Sequence, residues 1–206
     1  MTSQYSTKCL RLYLIRHGEI EGANSGSIYG HTDVQLSAAG IEQSRRLAER
    51  LEGERLSAVY SSDLKRAIAT AQSIAARHSL TVQTNTAWRE IDMGKWDGLS
   101  LNDVYMQNEE SVRLLFEEPE SFQYPDGETF LAFNSRIEET VKDLLGKHAE
   151  GKVALITHGG VARAIIGTAL GMPMRTWLRL AQGYGCLNII DWYDGHPILD
   201  LLNFQS

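Results

Sequence analysis

The chain has 206 residues, 43% of them hydrophobic and 22% charged, which is ordinary globular usage and excludes disordered, collagen-like and coiled-coil architectures. Its 26 acidic side chains outnumber 20 basic ones, and a net charge of −6 makes the chain a poor candidate for general nucleic-acid binding, which needs a basic face, while leaving room for local basic spots. Cys9 and Cys186 lie far apart and form neither a disulfide framework nor a zinc-ligand spacing.

Residues 1–8 are polar, and Arg11 interrupts the short apolar run that follows, so no targeting core is expected. No later stretch approaches the about 18 uninterrupted apolar residues of a membrane span. Reduced thiols without an export signal favour the cytoplasm. Residues 9–15 read as a buried strand ending in Arg16-His17-Gly18. A glycine-rich irregular loop occupies 18–36, and long loops in compact domains are often functional. Ser37 is an N-cap for a helix running to about Leu51. Residues 56–60 form a second strand. Ser62 then caps a helix, with Asp63 in its first turn and Leu64, Ala67, Ile68, Ala71, Ile74 and Ala75 on one apolar face.

Residues 88–98 are irregular or strand-like, 100–118 form a polar helical excursion, and Pro125-Asp126-Gly127 is a turn. A helix covers about 128–145. The continuous apolar run Val153-Ala154-Leu155-Ile156 suits a strand buried on both faces of a parallel sheet, followed by a helix over 159–170. Strands at 187–193 and 198–202 flank Asp194-Gly195, a hairpin signature. The expected fold is a single α/β domain over 1–206. It is a three-layer α/β/α sandwich with a mostly parallel central sheet, a helical insert over roughly 99–126 and a C-terminal hairpin. In such sheets ligands gather at the carboxyl ends of strands.

Two strands end alike, in Arg16-His17-Gly18 and in Thr157-His158-Gly159-Gly160. A lone histidine after a strand is more often structural than catalytic. Arg16 beside His17 changes the balance, because an always-charged guanidinium is an awkward neighbour in a passive core. Arg66, at a helix start, suits an anion site or equally a solvated helix face. Glu90, between bulky apolar residues, is a general-acid candidate or part of a charged turn. No phosphate-binding P-loop, dinucleotide fingerprint, HExxH, paired carboxylates or GxSxG elbow is present, so no metal site is expected.

Taken in order, these segments resemble the histidine phosphatase superfamily, in its phosphoglycerate mutase-like branch. The matches are Leu14-Ile15-Arg16-His17-Gly18-Glu19, then Ser61-Ser62-Asp63-Leu64-Lys65-Arg66-Ala67, Glu90 with Gly94, Trp96 and Gly98, and Thr157-His158-Gly159-Gly160. The resemblance implies a phosphatase that needs no metal or other cofactor and acts on a small phosphorylated metabolite. His17 would be the phosphoryl-accepting nucleophile, Arg16, Arg66 and His158 the ligands of the phosphoryl oxygens, and Glu90 the general acid and base. It also implies substrate contacts from Asn24, Gly30 and Gly159. The chain departs from the family pattern at Ile20, where Thr or Ser is usual, at Asn24, which falls one residue late, and at Tyr29, where a small hydroxyl residue is common.

The segment Met93-Gly94-Lys95-Trp96-Asp97-Gly98 is the phosphatase-like version, and the Gly-Leu-Asn-Lys element of the mutases is absent. The stretch from Tyr29 to Ser37 and Pro125-Asp126-Gly127-Glu128-Thr129 with Phe133 and Arg136 resemble the α-ribazole-5'-phosphate phosphatases of cobalamin assembly. Phosphoglycerate mutase, broad-range sugar phosphatase and a non-catalytic phosphate-recognition module are the alternatives. The insert is expected to contribute a lid, with Tyr105, Met106, Phe116, Phe122 and Tyr124 either contacting the leaving group or packing the insert itself. The apolar terminal hairpin hints at a homodimer.

Overall fold

A computed structural model describes residues 8–205. The polar N-terminal stretch, in which no targeting core is expected, lies outside the described residues apart from Lys8. One six-stranded sheet forms the middle layer. Its strands are β1 (Cys9–Arg16), β2 (Ala58–Ser61), β3 (Val82–Thr84), β4 (Gly151–Thr157), β5 (Leu187–Tyr193) and β6 (His196–Phe204), in the order β3-β2-β4-β1-β5-β6. The first four in that order are parallel neighbours, and β5 and β6 are antiparallel additions.

Period-two alternation explains how the central strands divide two cores between them. Leu10, Leu12 and Leu14 of β1 and Val153 and Leu155 of β4 face one cluster. Tyr13 and Ile15, with Ala154 and Ile156, face the other. Helices α1 (Ala38–Leu51) and α2 (Lys65–Arg77) cover the second through Leu47, Leu51, Ala67, Ala71 and Ile74. The first is covered by α5 (Phe130–Lys147), through Phe133, Ile137 and Leu144, and by α6 (Gly159–Ala169), through Val161, Ile165 and Ile166. The three-layer sandwich expected from the sequence is the architecture observed.

Ser37 caps α1 as expected, accepting a hydrogen bond from the Gly40 amide. Ser62 does not cap α2. That helix begins at Lys65 with Leu64 at the N-cap, and the Ser62 hydroxyl is engaged elsewhere. Asp63 forms a two-pronged ion pair with Arg89 instead. The polar stretch after residue 100 is two helices, α3 (Leu101–Gln107) and α4 (Glu109–Glu117). They break at Asn108, whose side chain caps α4 by accepting from the Ser111 amide. The short β3 and the 3₁₀ segment Met174–Arg179 are not marked by the hydrophobic pattern. At the hairpin, Asp194 and Gly195 take φ of 49° and 84°, the left-handed pair that a two-residue turn between twisted strands requires.

Candidate active site

Three adjacent strand ends build the site. β1 and β4 run in parallel register with Arg16 opposite Thr157, so the next residues, His17 and His158, emerge side by side. The His17 amide donates to the Thr157 carbonyl at 2.9 Å, and the two imidazole rings meet edge-to-face with centroids 5.1 Å apart. On the other side of β4, Ser61 lies opposite Ile156, which brings Ser62 beside His158. This is the carboxyl end of the sheet, where ligands were expected.

His17 is buried, and its Nδ1 lies 2.7 Å from the Gly18 carbonyl. A carbonyl only accepts, so Nδ1 carries the proton and Nε2 keeps the lone pair. Burial pushes the His17 pKa well below its ordinary value, and the charges of Arg16 and Arg66 push the same way. The ring is therefore a neutral imidazole with a defined nucleophilic nitrogen at neutral pH.

Arg16 lies over the Tyr184 ring, 3.9 Å from guanidinium carbon to centroid, and one terminal nitrogen donates to the Gln182 carbonyl at 2.7 Å. Its Nε is buried without a partner among the described residues. Arg66, only 1% exposed, donates from its two terminal nitrogens to the carbonyls of Thr32 (2.7 Å) and Gly30 (2.6 Å). These carbonyls belong to a turn held by one carboxylate. Asp97 accepts from the amides of Gly30 (3.1 Å), His31 (2.8 Å) and Thr32 (2.8 Å). The chain Asp97, turn, Arg66 fixes a cation that burial would otherwise disfavour.

Glu90 follows the 3₁₀ turn Thr86–Trp88 and is buried. Oε2 accepts from the Gly160 amide at 2.8 Å, in the first turn of α6, and Oε1 accepts from the Ile91 amide at 3.0 Å. A Cβ at Gly160 would lie 2.1 Å from Glu90 Oε1, so only glycine lets the carboxylate sit on this helix end. Arg136 anchors the segment from behind. It grips Glu128 with two nitrogens and donates to the carbonyls of Ala87 and Arg89.

A cavity of about 310 Å³ opens over these groups. Arg16, His17, Arg66, Glu90, Gly159 and Arg163 supply its polar wall, and Ile20, Ile28, Tyr29, Met93 and Tyr184 much of the rest. Among the sequence-predicted residues, Arg16, His17, Arg66, Glu90 and Gly159 therefore meet at one cavity, with His158 against the His17 ring. Gly30 is buried and acts through its carbonyl on Arg66. A Cβ there would lie 2.5 Å from the Ile91 carbonyl oxygen. Asn24 is exposed in the turn Ala23–Ser25 and does not line the cavity, because the turn carries it outward and Ser27, Ile28 and Tyr29 take the wall. Ile20 is buried in that wall, as its place in the motif implied. No residue of 99–126 lines the cavity. Phe122 and Tyr124 are buried and pack on Trp96 with centroids 5.2 and 5.3 Å apart, so these two serve the core rather than a lid, while Tyr105, Met106 and Phe116 are exposed and do not line the cavity.

Sequence reasoning missed Arg163, Tyr184 and the anchoring role of Asp97. Arg163 stands one helical turn after Gly159, and that spacing was its only sequence signal; its Nε donates to the Leu180 carbonyl at 2.9 Å. Three guanidinium groups and one carboxylate thus face a cavity in a chain of net charge −6. A dianion would meet a strong local positive field there, whatever the overall charge. Among the described residues no group of three or more His, Cys, Asp or Glu side chains is placed to hold a metal ion, and no helix is long and apolar enough to cross a membrane.

A family model described as the histidine phosphatase superfamily (branch 1) matches residues 12–205. Among curated relatives, the adenosylcobalamin/alpha-ribazole phosphatase of Escherichia coli is 29% identical over 96% of this chain and 97% of its own. Phosphoserine phosphatase 1 of Hydrogenobacter thermophilus is 31% identical over 87% and 83%. Among solved structures, the phosphoserine phosphatase of Entamoeba histolytica in complex with 3-phosphoglyceric acid superposes with a TM-score of 0.87 at 25% identity, covering 96% of this chain and 98% of that one.

Proposed function

The chain belongs to the histidine phosphatase superfamily, branch 1, and is a phosphatase; from that premise we propose that it hydrolyses a small phosphomonoester through a phosphohistidine at His17, without a metal ion. The observation that carries this reading is the His17 ring. Its Nδ1–H is tied to the Gly18 carbonyl, and its Nε2 lone pair belongs to a neutral imidazole in a wall shared with Arg16, Arg66 and Arg163. In the first step Nε2 attacks phosphorus, the phosphorus–oxygen ester bond breaks, and the leaving alkoxide takes a proton from Glu90, which enters this step as the carboxylic acid and leaves it as the carboxylate. In the second step water attacks the phosphohistidine, gives its proton to the Glu90 carboxylate, and releases inorganic phosphate with His17 neutral again. The guanidinium groups stabilise charge on the transferring oxygens, the main contribution a protein makes to phosphoryl transfer. Glu90, held by two amides, has no freedom to drift between its two proton transfers.

The substrate we favour is α-ribazole 5'-phosphate. Two observations support it: the similarity to the Escherichia coli relative, and the apolar side of the cavity, where Ile20, Ile28, Tyr29, Met93 and Tyr184 suit an aromatic leaving group better than a zwitterionic one. The test is kcat/KM across α-ribazole 5'-phosphate, phosphoserine, 3-phosphoglycerate and sugar bisphosphates, with mutase activity assayed beside them using a bisphosphate primer. The account expects the ribazole ester to lead by at least about tenfold. A lead by phosphoserine or 3-phosphoglycerate overturns the substrate while leaving the His17 chemistry standing.

A further inference from the structure

We infer that Ser62 is a positioning residue that sets the tautomer of His158 and thereby presents an Nδ1–H to the transferring phosphoryl group. The inference rests on the reading of His158 as a phosphoryl ligand and adds what makes that ligand a donor.

Ser62 occupies a position that sequence chemistry assigns to helix capping, yet Leu64 takes the N-cap of α2. The Ser62 hydroxyl lies 2.8 Å from His158 Nε2 instead, both side chains being buried. The other contact at Ser62 Oγ comes from the Leu64 amide at 3.4 Å, which can only donate. The hydroxyl proton therefore has one acceptor among the contacts of the described residues, the Nε2 lone pair of His158. An imidazole nitrogen that accepts carries no proton, so a neutral ring must carry it on Nδ1. The ring is neutral: burial, followed by the charges of Arg66, His17 and Arg16, holds its pKa well below the ordinary value.

Nδ1 is also a buried nitrogen with no partner among the described residues. With Arg16 Nε, it is one of two such nitrogens on the two side chains flanking His17. A buried donor lacking an acceptor is complementary to a ligand rich in acceptors, and a phosphoryl group bound at His17 brings three oxygens. The opposite tautomer would turn a lone pair towards those oxygens and leave the Ser62 proton without an acceptor. The sequence cause is the double serine at the end of β2. Ser61 stays in the parallel ladder with β4, and the Ser62 amide donates to Ile156 at 3.2 Å, which fixes its side chain against the residue after Thr157.

The test is long-range proton–nitrogen NMR of the full chain labelled with ¹⁵N-histidine, His158 being assigned by its loss in His158→Asn. The expected spectrum shows His158 with a protonated, pyrrole-type Nδ1 and an unprotonated, pyridine-type Nε2, both with and without inorganic phosphate. In Ser62→Ala the preference collapses towards mixed tautomers and kcat falls by about tenfold, less than the about hundredfold of losing an oxyanion donor outright. A wild-type His158 protonated on Nε2 overturns the inference, as does a Ser62→Ala protein with unchanged tautomer and unchanged kcat. Failure of the phosphohistidine reading looks different: the tautomer stands as expected and no phosphate is trapped on His17.

Discussion

Gly160→Ala isolates the positioning of Glu90 without replacing any side chain in the cavity. The added Cβ would stand 2.1 Å from Glu90 Oε1 and 3.0 Å from its carboxyl carbon, against about 3.5 Å for an ordinary contact. The carboxylate must therefore retreat by more than about 1 Å. It cannot do so freely, because Glu90 is 7% exposed and each oxygen already holds a backbone amide. Misplacement of a reacting group by about 1 Å costs on the order of a hundredfold in rate. We therefore expect kcat/KM on an alkyl phosphate to fall about a hundredfold, and much less on p-nitrophenyl phosphate, whose leaving group needs little help from an acid. Overpacking costs about 1–3 kcal/mol, partly offset by about 1 kcal/mol from replacing glycine inside a helix, so the melting temperature should move by only a few degrees. A variant that hydrolyses the alkyl ester at the wild-type rate would refute the claim that this contact positions the acid.

Chelation with EDTA should leave turnover unchanged, whereas His17→Ala should abolish it in a steady-state phosphate-release assay; sensitivity to the chelator would contradict the metal-free chemistry. Asp97→Asn should slacken the turn whose carbonyls hold Arg66 and weaken inhibition by inorganic phosphate about tenfold, or about 1.4 kcal/mol, in a competition assay. NMR titration should find both His17 and His158 still neutral at pH 6.5. A base whose folded pKa is depressed contributes stability that is complete above its unfolded value, near 6.5, and is lost as pH falls towards the folded value. Urea midpoints should accordingly hold above pH 7 and decline below 6.5; a midpoint that rises on acidification from pH 6.5 to 5.5 would contradict this sign.

The groups that meet at the cavity were legible where the chain's own periodicity ends at them. His17 and His158 each close a strand whose apolar pattern is unmistakable, and parallel register then makes them neighbours. Arg66 and Glu90 were recognisable only beside that pair, since each alone reads equally well as a solvated charge. Three features that the sequence did not show have physical causes. Ser62 has a capping residue's chemistry, but a buried imidazole competes for its hydroxyl, and a tertiary hydrogen bond outweighs a local one. Asn24 lies in a loop whose path is set by the positive-φ glycines Gly22 and Gly26, which motif spacing does not record. Tyr184 meets Arg16 across most of the chain's length, and nothing local in Gly183-Tyr184-Gly185 announces the contact. The layers of the sandwich were readable from the alternation of β1 and from the continuous apolar run of β4, which needs cover on both faces. The break at Asn108 was not, because the flanking residues favour helix on both sides.

The central claim is that His17 carries the phosphoryl group in transit. Rapid mixing of the enzyme with a ³²P-labelled monoester, alkaline quenching and peptide mapping tests it most directly. The account predicts label that survives alkali, is lost in acid and maps to His17. Turnover without any label on His17, or label on another residue, would contradict it.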